Sequence, residues 1–283
     1  MGLMGNYTNR LLAVTAKKHL WISTLGMVDN WPMWVVRTSM VYDKKRPHLL
    51  IAAGFHGEEK AGPLSIMQWL ETKQIPSKID LSFLPVINPV GFNVGQRYGS
   101  SHLKTNAGFC HPEIGDAPSP EGQILLANEH NLKKLARNGF LSLHEDITVS
   151  KYYCYSYESR DQPSDFVKAI RDMEDRFFSR YGDGNGVVTD CSSVLYSDRA
   201  TVHEGLVHNL CDGSYEDFRM HQGCRHSMAT ETPGLLRISK RISANMAIMD
   251  KFIELTMREF YAGEEFKLPI KDGVSTSSGG GLV

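Results

Sequence analysis

The sequence lacks several features that would assign it quickly. Its five cysteines, Cys110, Cys154, Cys191, Cys211 and Cys224, are odd in number and widely spaced, with no CxxC pair among them. That excludes a paired-thiolate zinc site or redox motif and predicts reduced, mostly buried thiols. Neither sign of charge dominates: 31 lysines and arginines face 32 aspartates and glutamates. No net field therefore draws the chain to nucleic acid or to an anionic membrane surface. No apolar run reaches the roughly 20 residues needed to span a bilayer. The short run from Leu11 to Val14 falls well below a secretory signal core. These absences predict a cytoplasmic protein with no membrane or nucleic-acid partner. A GxSxG elbow, a Walker loop and a dinucleotide fingerprint are also missing, which removes nucleophilic-serine and nucleotide chemistry.

What is present fits one large domain. With 283 residues, 41% hydrophobic and 22% charged, the chain can bury one substantial core. We expect a single catalytic domain over residues 1–271 and a flexible tail over 272–283, where the sequence ends in TSSGGGLV. Leu20 to Thr24 and Trp34 to Thr38 read as two antiparallel edge strands around a turn. His48 to Gly54 (HLLIAAG) and Asp80 to Ile87 (DLSFLPVI) are continuous apolar runs, as expected of buried central strands. Gly139 to Asp146 and His226 to Glu231 supply two more. Helices are predicted over Glu59 to Glu71, Glu121 to Arg137, Ser164 to Arg180 and Ser239 to Tyr261. The segments Val90 to Pro120 and Tyr181 to Cys224 read as long irregular stretches, and the first is long enough to indicate a functional loop. Alternating strands and helices predict an α/β three-layer sandwich with a mixed, mostly parallel central sheet flanked by helices.

In such sheets ligands gather at the carboxyl ends of the strands. His56, Asn88, His144 and Glu231 each fall at or just beyond such an end. His56 and Glu59 occur in GFHGEE, where a three-residue gap across a glycine turn lets an imidazole and a carboxylate converge on one cation. Alone, this pair is as readily a surface feature. His144 closes the apolar strand FLSL and is followed by Glu145 and Asp146, which could orient it or simply be solvated. Two histidines and one carboxylate with an open fourth position form the ligand set of a hydrolytic zinc site. By contrast, His203 and His208 are five apart and fall on different helix faces, so with Glu204 they read as no second metal motif. GDGNG at 182–186 reads as a turn and not a cation loop, since no suitably spaced glutamate follows it.

Taken in order, GFHGEE, INPVGF, Gln96-Arg97-Tyr98, KTNAGF, LSLHED and ATETPG resemble the zinc carboxypeptidases and their relatives, the succinylglutamate desuccinylases and aspartoacylases. The resemblance runs from about Trp21 to Leu236. It implies one Zn2+ per chain held by His56, Glu59 and His144. It also implies that Arg97 polarises the scissile carbonyl and that Glu231 is the general base. The implied reaction is hydrolysis of a C-terminal amide bond of a peptide, a cell-wall peptide among the candidates, by a metal-activated water. An N-acyl amino acid deacylase is the alternative, and a zinc-free binding module is a remote one.

Two departures from the family pattern concern the substrate. The family usually follows its asparagine with an arginine that binds the terminal carboxylate, but Ala107 follows Asn106 here. Asn106 is therefore expected at the substrate with some other cation beside it, Arg225 first and then Arg160 or Arg199. No motif aligns the tyrosine that carboxypeptidases place over the substrate, and Tyr215 is the nearest candidate.

Overall fold

Strand β3 (His48–Ala53) is buried along its whole length, the condition that a continuous apolar run satisfies when sheet neighbours flank it and helices cover both faces. A computed structural model describes residues 2–182 and 201–265. Within them β3 lies between β4 (Asp80–Leu84) and β5 (Gly139–Asp146), parallel to both. β8 (Ser227–Pro233) continues the parallel block beside β5. β1 (Trp21–Val28) and β2 (Trp31–Arg37) form an antiparallel hairpin on β4, while β6 (Tyr153–Tyr157) and β7 (Leu206–His208) close the other edge. The result is one mixed eight-stranded sheet in the order β1-β2-β4-β3-β5-β8-β6-β7.

The period-two alternation of the strands sorts the core into two layers. Leu49, Ile51 and Ala53 of β3 pack in a cluster with α1 (Leu3–Lys17), α2 (Ala61–Thr72), α6 (Asp165–Glu174) and α8 (Ile238–Glu265). Leu50 and Ala52 face the opposite cluster, with α4 (Pro120–Ala127), α5 (Glu129–Leu135) and α7 (Tyr215–His221). This is the three-layer sandwich that the alternation of elements predicts. No helix among the described residues is long and apolar enough to cross a membrane.

Several elements differ from the sequence reading. α1 was not anticipated, although Met4, Tyr7, Leu11 and Val14 recur at helical spacing and all four are buried. Its Tyr7 hydroxyl donates to the Pro63 carbonyl at 2.8 Å, docking α1 on α2. The helix expected over Glu121 to Arg137 is two helices, because Asn128 folds its side chain back to the Ile124 carbonyl and also donates to Leu25. The helix begun at Ser164 ends at Glu174 rather than at Arg180. The two long irregular stretches contain α3 (Pro89–Val94), β7 and α7. The tail at 272–283, the GDGNG turn beyond Gly182, Cys191 and Arg199 lie outside the described residues.

The turn after β3 depends on two glycines. Gly54 has φ of +70°, a left-handed conformation costly for any residue with a Cβ. Gly57 passes so close to α3 that a Cβ there would run into the backbone of Gly91, Phe92 and Gln96. Its amide donates to the Arg97 carbonyl at 3.1 Å, and the Asn88 side chain donates to the same oxygen at 3.0 Å. Asn88 also caps α3 by accepting from Gly91 at 2.8 Å. Gly57→Ala is therefore expected to cost about 3 kcal/mol or more, since the obstruction is backbone, and to lower Tm by roughly 6–12 °C in a melting experiment. An unchanged Tm would contradict this packing.

Candidate active site

The parallel register aligns the carboxyl ends of β3, β5 and β8 along one edge of the sheet, and the candidate residues meet there. In β5 and β8, His144 pairs directly with Glu231, so their side chains leave the same face. Glu231 also lies opposite Tyr153 of β6. His56 and Glu59 arrive from the turn after β3. The Nδ1 atom of His56 is 2.6 Å from one oxygen of Glu59, and the Nδ1 atom of His144 is 3.0 Å from the other. All three side chains are buried, and their ligand atoms lie within 4.8 Å of one another. The Glu145 amide donates to Glu59 at 3.3 Å.

The cluster concentrates buried acids and imidazoles, a charge pattern that a cation would suit. Burial pushes the Glu59 carboxyl up, but the facing His56 and His144 imidazoles more than reverse this and hold it well below the usual carboxylate range. Burial pushes Glu231 up to about 8, with His144 opposing the shift and Glu59 adding to it. A cavity of about 270 Å³ opens on these groups and is lined by Glu58, Glu59, Glu145, Asp146 and Glu231 against Arg97. A divalent ion among these carboxylates would reverse the upward pressure on Glu231. Two imidazole nitrogens aimed at one buried carboxylate, inside an acid-rich cavity, fit a zinc-type ion with an open position. The Glu231 side chain makes no hydrogen bond with the described residues, unlike those of Glu59 and Glu145. Arg97 is held in place, donating from Nη1 to Glu58 at 2.9 Å and to Glu59 at 3.3 Å.

Glu216, in the first turn of α7, has no counterpart in the sequence reading. One of its oxygens lies 3.3 Å from Nε2 of His144 and the other accepts from Asn106 at 2.8 Å. A carboxylate on the far nitrogen fixes the ring and leaves Nδ1 for a metal. The available signal was Ser214-x-x-Asp217: Ser214 caps α7 by accepting from the Asp217 amide at 3.2 Å. Glu145 instead turns away to accept from the Ala61 amide at 3.1 Å and to pair with Arg241.

Of the expected substrate-binding residues within the described chain, Asn106 lies beside the cluster, while Arg225, Arg160 and Tyr215 lie elsewhere. Arg225 lies before the start of β8, at the opposite end of the strand from Glu231, about 20 Å away at the rise of an extended chain. It is exposed there and pairs with Glu259 at 2.9 Å. Arg160 is also at that end, its carbonyl accepting from Asn209 and facing His208. Tyr215 is fully buried against Phe55, Phe109 and Phe140, behind the cluster rather than over the cleft. Asn106 is near the site, but both ends of its amide are occupied, by Glu216 and by the Tyr215 amide at 2.9 Å. It supports α7. His208 is held between Ser156 and the Arg160 carbonyl. With His203 and Glu204 it lines a larger cavity of about 510 Å³, and the three form no ligand cluster among the described residues.

An eight-stranded mixed sheet with a buried His-Glu-His cluster at the ends of its parallel strands has the architecture of a carboxypeptidase-like α/β protein. A solved structure named as a putative metallopeptidase from Shewanella amazonensis is 32% identical, with TM-score 0.80, covering 90% of this chain and 93% of that one. One of the same description from Shewanella baltica is 30% identical, with TM-score 0.80 and coverage of 90% and 92%. A metallo-carboxypeptidase from Burkholderia cenocepacia shares the fold at 15% identity, with TM-score 0.61 over 89% of this chain and 68% of that one. No family profile and no curated protein sequence matches. The chain belongs to the zinc carboxypeptidase-like family of metallopeptidases.

If the His56, Glu59 and His144 cluster holds a metal ion, Glu216→Ala is expected to weaken its affinity by about 10–100-fold, measured by competition with a chromophoric chelator. Unchanged affinity would show that His144 needs no such support.

Proposed function

We propose that the chain is a zinc-dependent peptidase of the carboxypeptidase type, hydrolysing an amide bond at the C-terminal end of a peptide, with cell-wall peptides within its range. In this reading His56, Glu59 and His144 hold one zinc ion. The observation that carries it is the convergence, at one strand edge, of the buried imidazole–carboxylate–imidazole cluster with the unengaged carboxylate of Glu231. Zinc bound there supplies a Lewis acid that polarises a carbonyl and eases deprotonation of water. Glu231 takes the proton from the attacking water and returns it to the leaving amine. Arg97 offers a fixed positive charge to the carbonyl oxygen as it becomes negative.

The short spacing from Asn88 to Arg97 and the Arg97-Tyr98 pair resemble the deacylases and favour that alternative. The cavity lining weighs against it: five carboxylates against Arg97 disfavour a small, multiply anionic N-acyl amino acid more than a peptide. The same acidity bears on the substrate terminus. Ala107 is buried and apolar, so it supplies no cation for a terminal carboxylate, and Arg97 in the cavity lining is already paired with Glu58 and Glu59.

Glu231→Gln is expected to keep zinc and fold while losing about two to four orders of magnitude in turnover. Near-normal hydrolysis of a confirmed peptide substrate by that variant would remove Glu231 from the role of base. Arg225→Ala is expected to leave KM within about twofold for both a free-acid peptide and its amidated analogue, since lost substrate binding would appear mainly in KM. A rise in KM for the free acid alone would contradict the placement of Arg225 away from the substrate.

A further inference from the structure

A second group of metal-ligating side chains forms where the loop between α3 and α4 meets α7. Cys110, His111, Asp217 and His221 bring one ligand atom each to within 4.8 Å of one another. The Nε2 atom of His111 is 3.0 Å from one oxygen of Asp217, and the Nε2 atom of His221 is 3.3 Å from the other. The rings are 5.2 Å apart and steeply inclined, at 78°. This repeats the motif of Glu59, a buried carboxylate with an imidazole on each oxygen. Asp217 and His221 are four apart and share one face of α7.

Asp217 supplies an independent reason to look for a cation. Its side chain is 0% exposed, and its Oδ1 accepts no hydrogen bond from the described residues. Oδ2 takes the Gly213 amide at 3.2 Å. Its ion-pair partners among the described residues are the two imidazoles and no lysine or arginine. A buried carboxylate in that position needs positive charge beside it, which either protonated imidazoles or a bound cation held by those imidazoles would supply.

We propose that Cys110, His111, Asp217 and His221 form a second metal site, structural in role, for a divalent ion of the zinc class. One thiolate, two imidazoles and one carboxylate complete a four-coordinate shell without an open position, which separates it from the three-ligand centre. The thiolate and imidazoles select zinc or cobalt over magnesium or calcium. Donor atoms of a tetrahedral zinc site are about 3.3–3.8 Å apart, edges set by bonds of about 2.0–2.3 Å. The four side chains are therefore close to register. Cys110 binds as the thiolate and releases its proton to solvent. Nδ1 of His111 lies 3.6 Å from the exposed Glu113 carboxylate, too far for a hydrogen bond, so Nε2 toward Asp217 is the ligand atom.

The site would join two segments that already touch. The Phe109 amide donates to the Gly213 carbonyl at 3.1 Å, just before α7. Through Glu216 the same helix holds His144, and Asn106 of the same loop holds Glu216. An ion on Asp217 would thus fix the support of the first centre without touching it.

The test uses the full chain, stripped with chelator and reloaded with Zn(II) or Co(II). The wild type should take up two equivalents by elemental analysis. His56→Ala with His144→Ala should keep one, and Cys110→Ser should lose one. The cobalt form should show a thiolate-to-cobalt charge-transfer absorption that survives in the His56, His144 variant and vanishes in Cys110→Ser, since the first centre contains no sulfur. His221→Ala removes a half-exposed ligand, so it keeps the test decisive if Cys110→Ser folds poorly; it should also lose one equivalent. A wild type that binds a single equivalent, lost entirely in the His56, His144 variant, would overturn the proposal. So would a charge-transfer band that persists in Cys110→Ser. Because each centre is emptied by its own variants, failure of one assignment remains distinct from failure of the other.

Discussion

The Glu59 carboxylate is the constraint around which the rest of the site is arranged. It is buried between two imidazoles at the ends of adjacent parallel strands, where an ionised acid is tolerated only if opposite charge and hydrogen bonds surround it. Each neighbouring element contributes to that. The Gly54 and Gly57 turn brings Glu59 inward, β5 delivers His144 and the Glu145 amide, and Arg97 is fixed by its own backbone contacts to Gly57 and Asn88. Glu216 then steadies His144 from behind. A metal ion at this point would relieve the accumulated negative charge of the cavity, so burial and chemistry ask for the same thing.

The strands that position the site were legible because they obey simple patterns. Continuous apolar runs at His48 and Gly139 mark strands covered on both faces, and the polar residue that ends each run marks the edge where sites gather. His56, Asn88, His144 and Glu231 could be placed at strand ends by that rule, and Glu59 by its spacing to His56; the His56, Glu59 and His144 ligand atoms lie close together. Direction along a strand is what proximity in sequence conceals. Arg225 is near Glu231 in sequence, yet an extended strand between them carries it to the other end of the sheet. Tyr215, the nearest candidate where no motif aligns the family's substrate tyrosine, belongs to a short helix whose aromatic face is core. β6 was overlooked although its tyrosines at 153, 155 and 157 alternate, all three facing one cluster.

α7 is the element that sequence patterning hid most completely and that the site uses most. Its seven residues are too few to show amphipathic periodicity, but consecutive side chains on it serve different tasks. Tyr215 fills the core, Glu216 holds His144, and Asp217 faces the Cys110–His111 loop. A helix this short has little stability of its own, so its orientation rests on those three attachments. That explains how a loop distant in sequence from His144 can govern the geometry of His144.

The account stands most directly on where an ion binds relative to Glu59. Crystals of the zinc-loaded chain, measured on both sides of the zinc absorption edge, would show it without reference to activity. The account predicts an anomalous peak bonded to Nδ1 of His56, a carboxylate oxygen of Glu59 and Nδ1 of His144, at about 2.0–2.2 Å from each, with the Glu231 carboxylate facing the open side. A fully loaded crystal with no anomalous density among those three residues would contradict it.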